Sequence, residues 1–537
     1  MTAIRSLFAG RYLAPALAAG AFFALLPLAG LQPWIAALAA VAGLLALVGL
    51  WDMVQTRHAI RRNYPILAHI RFFLESIRPE IRQYFLEDDT TTSPFSRNQR
   101  SIVYQRAKNT IDKRPFGTQV DVYGDGHEWI NHSIAPKPPT GHDFRVQIGG
   151  AACTQPYACS IFNISAMSFG ALSANAIRAL NKGAAMGGFA HDTGEGSISR
   201  YHREHGGDLI WEVASGYFGC RNADGTFDPG KYAENAREPQ VKMIEVKLSQ
   251  GAKPGHGGVL PGPKVTPEIA AARGVPLGVD CVSPAFHSAF STPAGLLEFV
   301  ARLRELSGGK PTGFKLCIGH PWEFLAIARA MVETGILPDF IVIDGSEGGT
   351  GAAPLEFTDH VGTPLRDGLI FAHNTLTGIG VRDRIRIGAS GKIVTGFDIA
   401  RVLALGADWA NSARGFMFAL GCIQAQACHT GHCPTGVSTQ DPVRQRALVV
   451  EDKATRVRNF HHNTLEALAE VIGAAGLGHP SELGPHHLIR RLSPTETRAA
   501  DQLYAFLKPG ELLTGAPEAP LFAHWSRVRA DSFALGA

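Results

Sequence analysis

The chain carries a long uncharged stretch near its start. From Tyr12 to Trp51 there is no Asp, Glu, Lys or Arg, room for two membrane spans of about 20 residues each. The proline of "LQPW" (31–34) is the natural break, so the pattern predicts a transmembrane helical hairpin over 13–31 and 34–51. A cleaved leader is the alternative, but a second apolar run directly behind the first argues against it. Residues 52–150 are polar, rich in Arg and aromatics, and broken by "TTTSPFSRNQR" and "APKPPTGHD". "AIRRNYPILAHIRFFLESIRPEIRQYF" can form amphipathic helices near a membrane surface, or a connecting subdomain on the main body.

From about residue 160 short β-branched runs alternate with helical ones. The strand candidates are 162–168, 187–194, 243–249, 278–283, 313–318, 340–345, 385–390 and 409–414. The helix candidates include 173–186, opened by Ser173 as N-cap, and 293–306, 321–335 and 396–406. Eight strands alternating with helices predict an α/β fold, a (β/α)8 TIM barrel, with an open doubly wound sheet as the competitor. No G-x-G-x-x-G follows the first strand, which removes the usual dinucleotide signature. Beyond 440, "TLEALAEVIGAAGL" and "TETRAADQLYAFL" read as helical. The expected organisation is a hairpin (1–54), a juxtamembrane region (55–150), the barrel (151–440) and a helical C-terminal extension (441–537).

Charge adds little beyond this. Net charge is +4, with no Lys/Arg block to suggest nucleic acid, and the 18% of charged residues is low because of the apolar start. Arg5 and Arg11 precede the hairpin while Arg57, Arg61 and Arg62 follow it. That places both ends in the cytoplasm and the protein in the inner membrane. All eight cysteines lie beyond residue 150, hence in a reducing compartment where clustered thiols favour metal or catalysis over disulfides.

In a barrel of this kind chemistry gathers at the C-terminal strand ends. Those ends read "AMSFG", "TGEGS", "SQGAKPGHGG", "DGSEGGTGA" and "ASGK". Gly348, Gly349, Thr350 and Gly351 after the sixth strand and Gly391 after the seventh are candidate phosphate-binding positions of a cofactor; for any single glycine pair a tight turn is the ordinary reading. Lys315, on the fifth strand, is a candidate to hold negative charge on a reduced flavin, or else a core-edge salt bridge. In "GCIQAQACHTGHCPTG" (421–436), Cys422, Cys428 and Cys433 are clustered thiols that suit an iron–sulfur cluster, with a proline after the last as in ferredoxin-type loops, and zinc completed by His429 or His432 is the rival. "HREH" (202–205) reads as surface.

"SAMSFGALS" (165–173), "TGEG" (193–196), "ASGYFG" (214–219), "KLSQGAKPGHGGVLPGPKV" (247–265), "DGSEGGTGAAPL" (344–355) and the cysteine run resemble the FMN-binding synthase domain of glutamate synthase, over about 160–440. The resemblance implies an FMN barrel with a 3Fe-4S cluster on Cys422, Cys428 and Cys433. It also implies reductive amination of 2-oxoglutarate by ammonia. By the same token Gln250, Lys253 and Arg273 surround the 2-oxo acid, and Glu195 sits near the substrate, usable for proton transfer. Ala166, Met167 and Ser168 line the flavin together with Gln250 and Lys315; Glu195, Lys253 and Lys315 are the expected catalytic set.

The sequence also departs from that family. His256 stands where an acid is usual and Val259 where a glutamine is usual, which puts the substrate in question. The chain begins Met-Thr-Ala with Cys153 its first cysteine, so glutamine hydrolysis by the family's N-terminal amidotransferase cysteine is not expected, and free ammonia, an amine or an ammonia-delivering partner is the expected nitrogen source. Electrons are expected from ferredoxin, a reductase subunit or a membrane component. The alternatives are a flavin and iron–sulfur enzyme acting on another amine or acid, and an electron relay without amination activity.

Overall fold

The computed structural model describes residues 12–139, 141–260, 262, 265–515 and 519–536; Arg5 and Arg11 lie outside them, and of Val259 only the backbone is described. The chain forms two compact units that divide between Asp88 and Asp89.

In the first unit the helix Leu13–Leu25 is followed by a 3-10 turn, Leu26–Leu28, and then by the helix Pro33–Val54. The two helices pack together, Pro15 against Gly49 and Phe22 against Gly43. Among the described residues only Pro33–Val54, with 22 residues, is long and apolar enough to cross a membrane. The span expected over 13–31 stops at Leu25 after 13 residues, about 20 Å of helix against the roughly 30 Å of a hydrocarbon core. Pro27, inside the 3-10 turn, lacks the N–H that would continue the α-helix.

The second unit is built on a closed barrel of eight parallel strands. In chain order they are β1 (Phe162–Ile164), β2 (His191–Asp192), β3 (Leu209–Val213), β4 (Val241–Lys247), β5 (Thr312–Leu316), β6 (Phe340–Asp344), β7 (Arg386–Ser390) and β8 (Trp409–Ser412). β3 and β5 are buried at every position, as strands with a packed interior on one face and helices on the other must be.

The barrel is the one expected, with one strand exchanged. The candidate at 278–283 is not a barrel strand: Cys281–Val282 pairs antiparallel with Val259–Leu260 outside the barrel, where Val279 and Val282 are exposed. Its place is taken by β3, "LIWEV", whose Trp211 is fully buried. The helices begin where their caps dictate. Ser173 Oγ accepts the Ala176 N–H at 3.2 Å, and Thr395 and Asp398 form a capping box.

Residues 89–139 and 441–515 pack in the same unit. The helix Val450–Ala474 lies on the helix Ala174–Gly187, where a Cβ on Gly183 would come within 2.5 Å of Val457. The C-terminal extension is not wholly helical. Leu488–Ser493 and Glu496–Ala499 form a hairpin that pairs with Glu128–Ile130, so the helix expected across "TETRAADQLYAFL" shrinks to Ala500–Leu503.

Candidate functional site

Inside the barrel, near its C-terminal end, lies a layer of opposed charges. Period two along a strand puts Glu245 and Lys247 of β4 on one face, and β2, β3, β5 and β6 contribute Asp192, Glu212, Lys315 and Asp344. Lys315 Nζ lies 2.9 Å from Glu245 Oε1 and 3.9 Å from Asp192 Oδ2, and donates to Glu212. Lys247 Nζ donates to Glu195 Oε2 at 2.7 Å and lies 3.7 Å from Glu212 Oε1. Oxygens of Asp192, Glu212 and Glu245 lie within 4.8 Å of one another. A cation could be held there, and the Lys315 ammonium already fills that role.

Burial raises the pKa of Asp192, Glu245 and Asp344. Burial also opposes the charge on Lys315, but Glu212, Glu245 and Asp192 outweigh it and hold that ammonium well above its usual value. Lys247 pulls Glu195 down to about 2. Glu195 is therefore a carboxylate at neutral pH, suited to orienting cations and accepting hydrogen bonds rather than giving a proton.

Above this layer opens a cleft of about 590 Å³, lined among others by Ser168, Glu195, Lys253, Arg273, Thr350 and Cys428. It gathers residues from all three expected groups, those for substrate, flavin and cluster. Arg273 ends the helix Pro267–Arg273, which Gly274 closes in the left-handed conformation, and it is only 5% exposed. Its guanidinium contacts the Phe169 carbonyl at 3.4 Å and sits 5.1 Å over the Phe218 ring, while Nε has no hydrogen-bond partner among the described residues. Burial lowers the pKa of Lys253. Among the described residues neither Lys253 nor Arg273 pairs with a carboxylate within 4 Å. Two cations without ion-pair partners beside Glu195 make a place for an anionic ligand. The close fit explains Gly258, since a Cβ there would lie 2.8 Å from Glu195 Oε1. His256 lines the same cleft, its ring 5.4 Å from that of Phe357.

The glycines after β6 meet an arginine that inspection of the sequence missed. Arg414 opens the helix Arg414–Leu420 beyond β8 and donates to the Thr350 carbonyl at 3.1 Å. A Cβ on Gly349 would come within 2.4 Å of its guanidinium, so glycine is what allows the approach. A guanidinium held against a glycine-rich loop is the kind of arrangement that suits an anionic group. The "SAR" ending of the eighth strand was the available signal, because phosphate sites in such barrels fall late in the strand order. Of the other expected flavin neighbours, Met167 is buried and Ala166 and Gln250 half-buried at the ends of β1 and β4; Gly348 packs on Gly251.

The cysteine loop follows the helix Arg414–Leu420. Cys422, Cys428 and Cys433 carry no disulfide. The Gln424 N–H points at Cys422 Sγ at 3.5 Å, and Thr435 Oγ1 lies 3.5 Å from Cys433 Sγ. Among the described residues, no three of these cysteines with His429 and His432 bring ligand atoms within 4.8 Å of one another. A single tetrahedral zinc with bonds of about 2.3 Å needs a closer set. "HREH" is surface only in part, for Glu204 is exposed while His202 is fully buried with its ring 5.1 Å from that of His191. Glu212 and Lys247 were also missed, the first because β3 was.

Residues 150–478 match the family described as the conserved region in glutamate synthase. The chain is 37% identical over 505 residues to the glutamate synthase large subunit-like protein YerD of Bacillus subtilis (strain 168), covering 85% of this chain and 96% of that one. It is 37% identical over 314 residues to the archaeal-type glutamate synthase [NADPH] of Thermotoga neapolitana, and spans 59% of that relative's length and 58% of its own. Among solved structures, a double mutant of flavocytochrome b2 with pyruvate bound superposes with a TM-score of 0.42 at 12% identity, covering 84% of this chain and 92% of that chain.

Proposed function

Because the chain belongs to the glutamate synthase family, we propose that it is an FMN-dependent oxidoreductase that aminates a 2-oxo acid reductively. The expected substrates are 2-oxoglutarate and ammonia, with electrons from a separate donor such as ferredoxin, a reductase subunit or a membrane component. The observation that carries this reading is the pair Lys253 and Arg273, which among the described residues have no carboxylate within 4 Å, on the wall of one cleft with Glu195. A dicarboxylate fits between two such charges, Arg273 offering the planar fork that matches a carboxylate.

FMN, when bound, supplies hydride transfer, and its phosphate is suited to Arg414, Gly349 and Gly391. Cys422, Cys428 and Cys433 would hold a 3Fe-4S cluster that supplies single-electron transfer. Glu195, kept ionised by Lys247, favours positive charge developing on a substrate nitrogen. Lys253, more easily deprotonated through burial, is the better placed to hold or give a proton at Nζ. We further place the protein in the cytoplasmic membrane through Pro33–Val54. Arg57, Arg61 and Arg62 after that helix support a catalytic unit on the cytoplasmic side. His256 in the cleft wall favours a second reading, in which another acid or amine is used.

The test is an anaerobic absorption spectrum of detergent-purified protein, titrated with dithionite and then given 2-oxoglutarate plus ammonium. Flavin bands over iron–sulfur absorbance, with the flavin reoxidised by that pair and Arg273→Lys raising the oxo-acid requirement about tenfold or more, are expected. Cofactors that stay reduced until a different acceptor is added would remove the substrate; a colourless protein would remove the mechanism.

A further inference from the structure

The first unit holds a feature that catalysis does not use. Asp52, fully buried near the end of Pro33–Val54, accepts the Ile66 N–H at 2.9 Å and faces His69 Nε2 at 2.9 and 3.0 Å. Ile66 itself is held at φ 67 and ψ −57, a strained conformation for a β-branched residue that neighbouring contacts must impose. This clasp fixes the next helix, Leu67–Ser76, at the foot of the apolar helix.

That second helix has two apolar faces. Ala68 is buried and Phe72 half-buried, Phe72 beneath the Arg61 guanidinium at 4.8 Å. Leu67, Ile70 and Leu74, at i, i+3 and i+7, form an outer stripe with Phe73 beside it, and these four are 49–61% exposed. Tyr84, Phe85 and Leu86 extend the exposed apolar surface at 56–82%. Arginines interleave with it. Residues 57–86 contain Arg57, Arg61, Arg62, Arg71, Arg78 and Arg82 against Glu75 and Glu80, six positive charges minus two negative, or +4.

We propose that residues 57–86 form a collar that binds the anionic lipid surface of the bilayer, its apolar stripe in the headgroup boundary and its arginines on lipid phosphates. A second protein is the other occupant an apolar stripe suggests. The excess of arginine and the continuity with Pro33–Val54, itself largely exposed, favour lipid. The inference rests on reading Pro33–Val54 as a membrane span, and is separate from the chemistry of the barrel.

The test uses the full chain in nanodiscs of pure phosphatidylcholine or of an equimolar mixture with phosphatidylglycerol, read by amide hydrogen exchange over 64–86. Exchange about tenfold or more slower in the anionic discs is expected, with the difference lost in high salt and in the variant R71Q/R78Q/R82Q. Equal exchange in the two lipids would overturn the proposal, and so would protection already complete in neutral detergent, which would mean that protein covers the stripe. Carbonate washing of native membranes tests the span itself. Release into the supernatant sinks that reading, whereas retention with lipid-independent exchange sinks only the collar.

Discussion

Glu195 is where charge chemistry bears most directly on the cleft, and its behaviour follows from Lys247 at 2.7 Å. A carboxylate pulled to about 2 contributes stability that is complete above the unfolded value near 4.3 and lost as the pH falls toward 2. Wild type should therefore exceed Glu195→Gln by ~2 kcal/mol at neutral pH, and the gap should close as the pH is lowered below about 4. Urea unfolding at stepped pH reads this directly; a pH-independent gap would remove the ion pair as its cause. Asp192, Glu245 and Asp344 work in the opposite sense. Burial raises them, so what they contribute is present at low pH and lost as the pH climbs through their folded values. At this scale the sequence was half legible. Lys315, Glu195, Lys253 and Arg273 could be picked out from strand ends and motif resemblance, but Glu212, Lys247 and Arg414 could not. Their importance comes from partners on other strands and loops.

Among elements, "LIWEV" and "GVDCVS" look alike in sequence and fold differently. Both are short runs rich in apolar residues, and one forms β3 while the other becomes a two-residue ribbon outside the barrel, with Cys281 buried and Val282 exposed. Local pattern does not separate them, because burial on both faces is conferred by the neighbouring strands. Long amphipathic helices were easier to read, their period and caps being local. The contact between Ala174–Gly187 and Val450–Ala474 depends on one missing side chain. Gly183→Ala would bring a Cβ within 2.5 Å of Val457 and 2.8 Å of the Ala454 carbonyl. It should cost about 1–3 kcal/mol, seen as a lowered thermal midpoint. Combining it with Val457→Ala should cost less than the two single changes added, since the pair shares one space. Strict additivity would mean that the helices had moved apart instead.

At the scale of the molecule, the division at Asp88/Asp89 leads to an expectation about autonomy. Residues 89–537 contain the barrel, the cleft and the cysteine loop, so this fragment should melt cooperatively and keep the flavin absorbance of the full chain. Both are measured by scanning calorimetry and spectroscopy in buffer without detergent; a fragment that aggregates or loses its absorbance would show that the first unit is needed for folding. The sequence by itself determined what depends on neighbours in the chain: the apolar run, the alternation that specifies a barrel, the glycine-rich strand ends and the cysteine spacing. Tertiary structure alone decided which charges meet. Glu212 reaches Lys315 across 103 positions of chain. Barrel closure turns alternate side chains of separate strands into one dry interior, where a buried charge must find its opposite. Arg273, Lys253 and Cys428 share a cleft for a related reason: loops of different length end on the same face of the barrel, and their convergence is set by strand register rather than by any local pattern.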